Sequence, residues 1–268
     1  CKPPVVAVSA AAHRPRSRVE FMGEQPRPGS TVKMPPVVLV PPLIMTRYCM
    51  VPLARHLQAC GRRTLLFGYP SYRRDIPANG QRLARFLLGT GEPELDLVTF
   101  SLGSIVLRWA AAREQVPRLR RVVMIGPPNQ GAVLASMLSR WLGPAFRLWI
   151  GRSALQLRRG HEGLCASAGT LPPGTELGII AGAAGRPWGF NPLIRGDNDR
   201  VVAVEETFLQ GMTAFVTVRC GHGPLIVHRS TWRHVEHFLE HGTFDPALPG
   251  PADGMWTDKG RIVTPEVE

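Results

Sequence analysis

The chain has 268 residues, of which 44% are hydrophobic and 19% are charged, with a formal net charge of +12. This composition excludes an intrinsically disordered protein, and the length is enough to bury a large core. The excess of positive charge comes almost entirely from scattered arginines. Because no recognition motif accompanies them, we expect no nucleic-acid partner.

The two ends differ in composition from the middle of the chain. Residues 1–36 are rich in proline and basic residues, which predicts a flexible leader, and residues 246–268 predict a loosely ordered tail. In the absence of a clear signal sequence the default expectation is a cytoplasmic protein. A lipid-anchored or exported protein is the alternative if Cys1 is a processed N-terminus, and membrane-surface association is otherwise not predicted.

Between the ends, short β-branched runs alternate with helical patterns. In chain order we predict a strand at 37–40, a helix at 45–60, a strand at 64–67, a helix at 76–88, a strand at 95–100, a helix at 104–113, strands at 122–125, 177–181 and 215–218, and a helix at 231–241. Repeated strand–helix–strand units predict a mostly parallel central sheet flanked by helices, an α/β fold. Functional groups in such a sheet lie at the carboxyl ends of its strands.

The predicted domain covers residues 37–245, and residues 132–172 interrupt its alternation. This segment contains a dense apolar stretch that includes Trp141, Phe146 and Trp149. Two interpretations stay open: a cap over the functional site, or an ordinary helical insertion packed on the sheet.

The most informative segment is the strand–turn–helix around Ser101. A buried strand leads directly into Ser101-Leu102-Gly103 and then into a helix, which is the context of a nucleophile elbow. In the Gly-x-Ser-x-Gly pattern of such elbows, Thr99 stands at the first glycine. A branched residue there is expected to crowd the strand against the helix.

From Val37 to Phe244 the chain resembles the α/β-hydrolase superfamily, specifically the bacterial lipase and esterase group. The resemblance rests on four further segments in the superfamily's order: 37–43, 121–131, 198–205 and 221–223. It implies Ser101 as nucleophile, His222 as general base and Asp199 as the acid that orients His222. No metal or organic cofactor is implied.

Other residues compete for these roles. Asp197 is the rival acid and His228 the rival base, and His234, His237 and His241 share one helix at spacings that suit a metal ion. A solvated helix face is the preferred interpretation of those three histidines, while His56 has no supporting context. The five cysteines form no Cys-x-x-Cys pair, and a Cys49–Cys60 bridge stays open.

The chain departs from the family at the oxyanion loop. Pro41 and Pro42 occupy the positions where the family has His-Gly, and proline has no backbone N–H. The resemblance therefore places the two backbone donors at Leu43 and Leu102. Phe100 replaces the family's usual histidine, and Leu43, Ile44, Leu102 and residues 132–150 are expected to line an apolar pocket.

These observations predict a serine hydrolase that cleaves carboxylic esters, with a small-molecule ester or lipid as substrate. The Pro41-Pro42 pair and Thr99 motivate an alternative, a catalytically impaired binding protein with the same fold. A third hypothesis is an acyltransferase that uses the same serine, with an alcohol in place of water.

Overall fold

The computed structural model describes residues 34–143, 151–160, 163–248 and 250. In these ranges six strands form one fully parallel sheet in the order β2-β1-β3-β4-β5-β6. The strands are β1 (Val37–Val40), β2 (Thr64–Leu66), β3 (Glu94–Phe100), β4 (Arg118–Ile125), β5 (Glu176–Gly182) and β6 (Ala214–Val218). The predicted fold class is confirmed.

Helices connect the strands. They are α1 (Val51–Ala59), α2 (Ile76–Gly89), α3 (Leu102–Arg113), α4 (Val133–Leu142), α5 (Arg152–Leu155), α6 (His222–Leu225) and α7 (Arg229–His241), with 3-10 helices at Arg47–Met50 and Val204–Thr207. No helix in the described ranges is long and apolar enough to cross a bilayer.

Both faces of the sheet are buried, because helices cover each of them. Alternate residues of each strand point to opposite faces. Val38 and Val40 of β1 pack with α2 and α3, while Val37 and Leu39 pack with α1 and α7. The chain leaves β1 toward β2 and then returns to the other side of β1 to form β3. This reversal makes the carboxyl ends of β1 and β3 the topological switch point, where a site is expected.

Two predicted elements differ clearly from the structure in their bounds, whereas the other bounds agree to within two residues. The single helix predicted at 45–60 is divided, because Arg47–Met50 winds as a 3-10 helix and α1 begins at Val51 with a proline in its first turn. The strand predicted at 122–125 begins at Arg118. Its charged start is stabilised by the buried carboxylate of Asp96, which accepts hydrogen bonds from Arg120 Nε at 2.9 Å and from the guanidinium of Arg62.

The segment predicted as a cap or insertion contains α4 and α5. No residue of α4 is fully buried, and its Trp141 is 68% exposed. Residues 144–150 lie outside the described ranges, so the interpretation as a cap stays a prediction. The predicted leader and tail lie almost entirely outside the described residues as well.

Candidate active site

Ser101 occupies a sharp turn between β3 and α3. Its φ of 51° and ψ of −119° are rare for a residue with a side chain. The turn is held by hydrogen bonds from Ser101 N–H to the Ile125 carbonyl at 2.9 Å and from Ser104 N–H to the Ser101 carbonyl at 3.0 Å. The strained turn presents the hydroxyl at the carboxyl edge of the sheet, beside the N-terminus of α3.

The two residues that flank the elbow fit it in different ways. The Thr99 hydroxyl forms a 2.7 Å hydrogen bond with the hydroxyl of Ser104, and both side chains are buried, so Thr99 is bonded directly to the helix. At position 103 a side chain does not fit, since a Cβ on Gly103 would lie 2.7 Å from the carbonyl oxygens of Val40 and Pro41.

His222 begins α6, just after β6. Its Nε2 lies 3.0 Å from Ser101 Oγ, and its Nδ1 lies 2.6 Å from Asp199 Oδ2. A carboxylate can only accept, so Nδ1–H donates to Asp199 and Nε2 is free to accept the Ser101 hydroxyl proton. The three side chains that the sequence singled out therefore lie in one hydrogen-bonded chain.

Asp199 is held in place by the backbone of its own loop. Its Oδ1 accepts the N–H groups of Val201 at 3.0 Å and Val202 at 2.8 Å, and its carbonyl accepts the His222 N–H at 2.8 Å. The side chain is almost fully buried. These bonds leave Oδ2 to orient the imidazole.

The rival acid and base have other partners. The Asp197 carboxylate accepts the N–H groups of Ala184 and Gly185 at 2.7 and 2.8 Å, so it shapes the loop after β5. His228 is the N-cap of α7 and accepts the Ser230 N–H at 3.3 Å. Neither is hydrogen-bonded to Ser101 in the described structure.

Two glycines leave room for the hydrogen-bonded side chains, and one aromatic ring packs against the imidazole. A Cβ on Gly126 would lie 3.1 Å from the His222 imidazole, and a Cβ on Gly182 would lie 2.6 Å from Asp199 Cβ. The Phe100 ring stacks on the imidazole with centroids 5.2 Å apart. Gly126 lies in segment 121–131, one of those on which the resemblance rests, whereas Gly182 carried no local signal.

The loop after β1 is fixed by two side chains that the sequence analysis missed. Tyr69 Oη donates to the Pro41 carbonyl at 2.8 Å, and Ser71 Oγ accepts the Ile44 N–H at 2.9 Å. Burial raises the pKa of the Tyr69 hydroxyl, so it stays a donor. Both residues follow β2, and only the tertiary structure brings them to this loop.

The two predicted backbone donors remain available. Among the described residues, the N–H groups of Leu43 and Leu102 donate no hydrogen bond within the protein. Leu102 is the first residue of α3, where backbone N–H groups have no partner inside the helix. In the described structure both N–H groups are therefore without an acceptor from the protein.

A cavity of about 530 Å³ lies beside this loop. Ile44 lines it, together with Tyr48, Tyr72 and two cationic side chains, Arg47 and Arg73. Leu43 and Leu102 do not line this cavity. The apolar pocket predicted from Leu43, Ile44, Leu102 and residues 132–150 stays a prediction, because residues 144–150 lie outside the described ranges.

Other candidates from the sequence lie apart from the site. His234 is buried against Phe244, while the His237 Nδ1 lies 2.7 Å from the Thr243 carbonyl oxygen, so the three histidines of α7 do not form one open face. Cys49, Cys60, Cys165 and Cys220 are free thiols, and the Cys49–Cys60 bridge is not formed.

No protein-family profile and no curated protein matches this chain. Several solved structures match it. The mature lipase BlEst2 of Bacillus licheniformis matches with a TM-score of 0.63 and 19% identity, covering 82% of this chain and 96% of that one. Phospholipase PlaB of Legionella pneumophila matches with a TM-score of 0.62 and 14% identity over 78% of this chain and 60% of that one.

A metagenomic carboxyl esterase also matches, with a TM-score of 0.56 and 16% identity over 84% of this chain and 80% of that one. At such low identities, the likeness shows a shared fold.

Proposed function

We propose that this protein, whose fold is that of the α/β-hydrolases, cleaves carboxylic esters through an acyl-enzyme on Ser101. The observation that carries the proposal is the chain of hydrogen bonds from Ser101 through His222 to Asp199, with 3.0 and 2.6 Å separations. A serine hydroxyl is a weak nucleophile unless a base removes its proton, and this arrangement supplies the base.

In the first half of the reaction, Ser101 Oγ attacks the ester carbonyl carbon while its proton passes to His222 Nε2. Asp199 holds the resulting imidazolium by its Nδ1–H and stabilises the positive charge. The carbonyl oxygen becomes an oxyanion, which the N–H groups of Leu43 and Leu102 stabilise. The bond to the leaving alcohol then breaks, and the alcohol takes the proton from Nε2.

In the second half, water attacks the acyl-enzyme. His222 Nε2 accepts one proton of the water, the same two N–H groups stabilise the second oxyanion, and the bond from the acyl carbon to Ser101 Oγ breaks. Ser101 recovers its proton from Nε2, and the carboxylic acid leaves. No cofactor takes part in this sequence of steps.

The alternative of an impaired binding protein rested on Thr99 and on the proline pair. Thr99 is accommodated by its bond to Ser104, and Tyr69 holds the loop that carries Pro41. The next N–H after the prolines, that of Leu43, donates to no other described residue. These observations favour a working site. An acyltransferase would share the first half of the reaction and differ only in the acceptor.

The similar structures include a lipase, a phospholipase and a carboxyl esterase, which supports carboxylic esters as the substrate class. We therefore infer a small-molecule ester or a lipid as substrate.

The test is covalent labelling by a fluorophosphonate, measured by intact mass on the wild type, Ser101→Ala and the control Ser139→Ala. Ser139 lies on α4, and its hydroxyl donates to the Ser136 carbonyl at 2.9 Å. We expect one adduct on the wild type and on the control, and none on Ser101→Ala. A folded wild type that stays unlabelled would refute an activated Ser101, and equal labelling of Ser101→Ala would place the nucleophile elsewhere.

Unlabelled wild-type protein is then assayed with p-nitrophenyl esters of increasing acyl length, with and without an added alcohol, and the labelled protein serves as the inactivated control. Release of free acid in water supports the hydrolase, whereas product that appears only as the new ester supports the acyltransferase.

A further inference from the structure

A cluster of metal-ligating side chains joins two helices outside the candidate active site. His56 lies on α1, Cys60 directly follows that helix, and Glu236 lies on α7. One donor atom from each of the three side chains lies within 4.8 Å of the donors of the other two. None of the three is hydrogen-bonded to Ser101, His222 or Asp199 in the described structure.

The arrangement follows from the helix geometry and from how the helices pack. Residues four apart share one helix face, so His56 and Cys60 point to the same side. Leu53 and Leu57 of α1 and Leu239 of α7 belong to one buried cluster, which brings the two helices side by side. The His56 Nε2 lies 2.9 Å from Glu236 Oε2, and the Trp232 ring lies beside the imidazole with centroids 5.5 Å apart.

We propose that His56, Cys60 and Glu236 bind a divalent cation of the zinc class. An imidazole nitrogen, a thiolate sulfur and a carboxylate oxygen are the donors that zinc takes, whereas magnesium and calcium take oxygen alone. In a tetrahedral zinc site, neighbouring donor atoms lie about 3.5 Å apart. When the ion binds, the donor atoms of His56 and Glu236 therefore move slightly apart, and the exposed Cys60 side chain moves inward to become the third ligand.

Charge and access also suit a cation. A thiolate and a carboxylate together neutralise a divalent ion, and Glu240 adds a further negative group one helical turn after Glu236. The site is thus locally acidic in a chain of net charge +12. Cys60 is exposed, so the ion has an entry path and the fourth coordination position faces solvent.

Binding would couple to folding. His56 and Glu236 are 180 residues apart in the sequence, and an ion held between them closes that long loop only in the folded chain. The ion therefore stabilises the folded state by mass action. This role needs no contribution from Ser101, so its test is independent of the proposed ester hydrolysis.

The test is titration of the tag-free, reduced protein with cobalt(II), which takes zinc sites and reports a coordinated thiolate by a sulfur-to-cobalt charge-transfer band. We expect one equivalent to give the band in the wild type and in the control Cys49→Ser, which removes a half-buried thiol that precedes α1. Cys60→Ser removes the band. Because Cys60 is exposed, this variant is expected to fold normally.

A second readout is thermal unfolding with and without zinc. We expect zinc to raise the Tm of the wild type by about 5 °C at saturation and to leave that of Cys60→Ser and Glu236→Gln unchanged. The proposal is overturned if the wild type gives no charge-transfer band at saturating cobalt, or if the band persists in Cys60→Ser. An equal Tm shift in all variants would also overturn it, since the ion would then bind elsewhere.

Discussion

The Ser71 hydroxyl accepts the Ile44 N–H at 2.9 Å and so ties the loop after β2 to the loop after β1. Ile44 has a φ of 65°, a conformation that β-branched residues rarely adopt. The bond therefore fixes a strained residue directly after Leu43, whose own N–H is the proposed donor to the oxyanion. Ser71 is a positioning residue in this proposal, because it acts on the reacting atoms only through the loop.

Replacing Ser71 tests this positioning role. In Ser71→Ala the strained turn loses its acceptor, and the Leu43 N–H is expected to move away from the oxyanion. Since removal of one such donor costs about 10²–10³ in turnover, we expect kcat to fall about 10- to 100-fold with KM little changed. Steady-state kinetics on a p-nitrophenyl ester measures the split, with Ser139→Ala as the control. A rise in KM alone would instead assign Ser71 to substrate binding.

The two neighbouring aspartates provide a matched pair. In Asp199→Asn the amide no longer favours the tautomer with a proton on Nδ1, so kcat is expected to fall about 10⁴-fold. Asp197→Asn keeps only one of the two oxygens that accept from Ala184 and Gly185, but neither bond involves His222, so its kcat is expected to fall less than about tenfold. Initial rates on the two folded variants decide between them, and the reverse order would make Asp197 the acid.

The buried hydroxyl pair of Thr99 and Ser104 is expected to contribute to stability rather than to chemistry. Thr99→Val leaves the Ser104 hydroxyl buried without this partner, which costs about 1–3 kcal/mol in the free energy of unfolding. Adding Ser104→Ala removes the unsatisfied group, so the double variant is expected to recover part of that loss. Urea unfolding of the four proteins gives the coupling energy. Additive losses would show that the two hydroxyls do not interact.

Near the amino end of the central strand β3, Asp96 is fully buried and accepts hydrogen bonds from Arg62 and Arg120. Asp96→Ala leaves two cations without their carboxylate, and breaking such a buried pair costs about 3–5 kcal/mol. Denaturant unfolding measures this loss. The rate of fluorophosphonate labelling of the folded fraction is expected to stay unchanged, and a slower rate would connect this cluster to the active site.

The buried carboxyl group of Glu206 is expected to make the free energy of unfolding depend on pH. Burial raises the pKa of its carboxyl group, although the N–H groups of Ala203 and Val133 bond to it. A carboxyl group whose pKa is higher in the folded state binds more protons when folded. Its contribution to the free energy of unfolding therefore grows as pH falls through the folded pKa, and it declines as pH rises.

Glu206→Gln removes this titration. The free energy of unfolding of the wild type, measured relative to the variant, is thus expected to increase as the pH falls from about 7 to about 5. Denaturant unfolding at several pH values measures the difference. A constant difference would mean that the Glu206 pKa lies near its ordinary value.

Much of the fold followed from local patterns. The apolar run at Val37–Val40 gave the bounds of β1 correctly, because a strand buried on both faces has no polar residue to obscure it. The start of β4 was missed because Arg118, Arg120 and Arg121 look like a surface loop. Only a carboxylate from the neighbouring strand β3 makes that charged stretch compatible with a sheet.

The alternating α/β order and the turn that carries Ser101 could be read from the sequence alone, since both depend on residues close together in the chain. Only the folded chain brings Asp199, rather than Asp197, against His222, Tyr69 and Ser71 to the loop after β1, and His56 beside Glu236. These contacts join residues 23 to 180 positions apart. Local periodicity predicts which segments form helices and strands, but such distant contacts arise only when the packing of the sheet and its helices fixes where each loop lies.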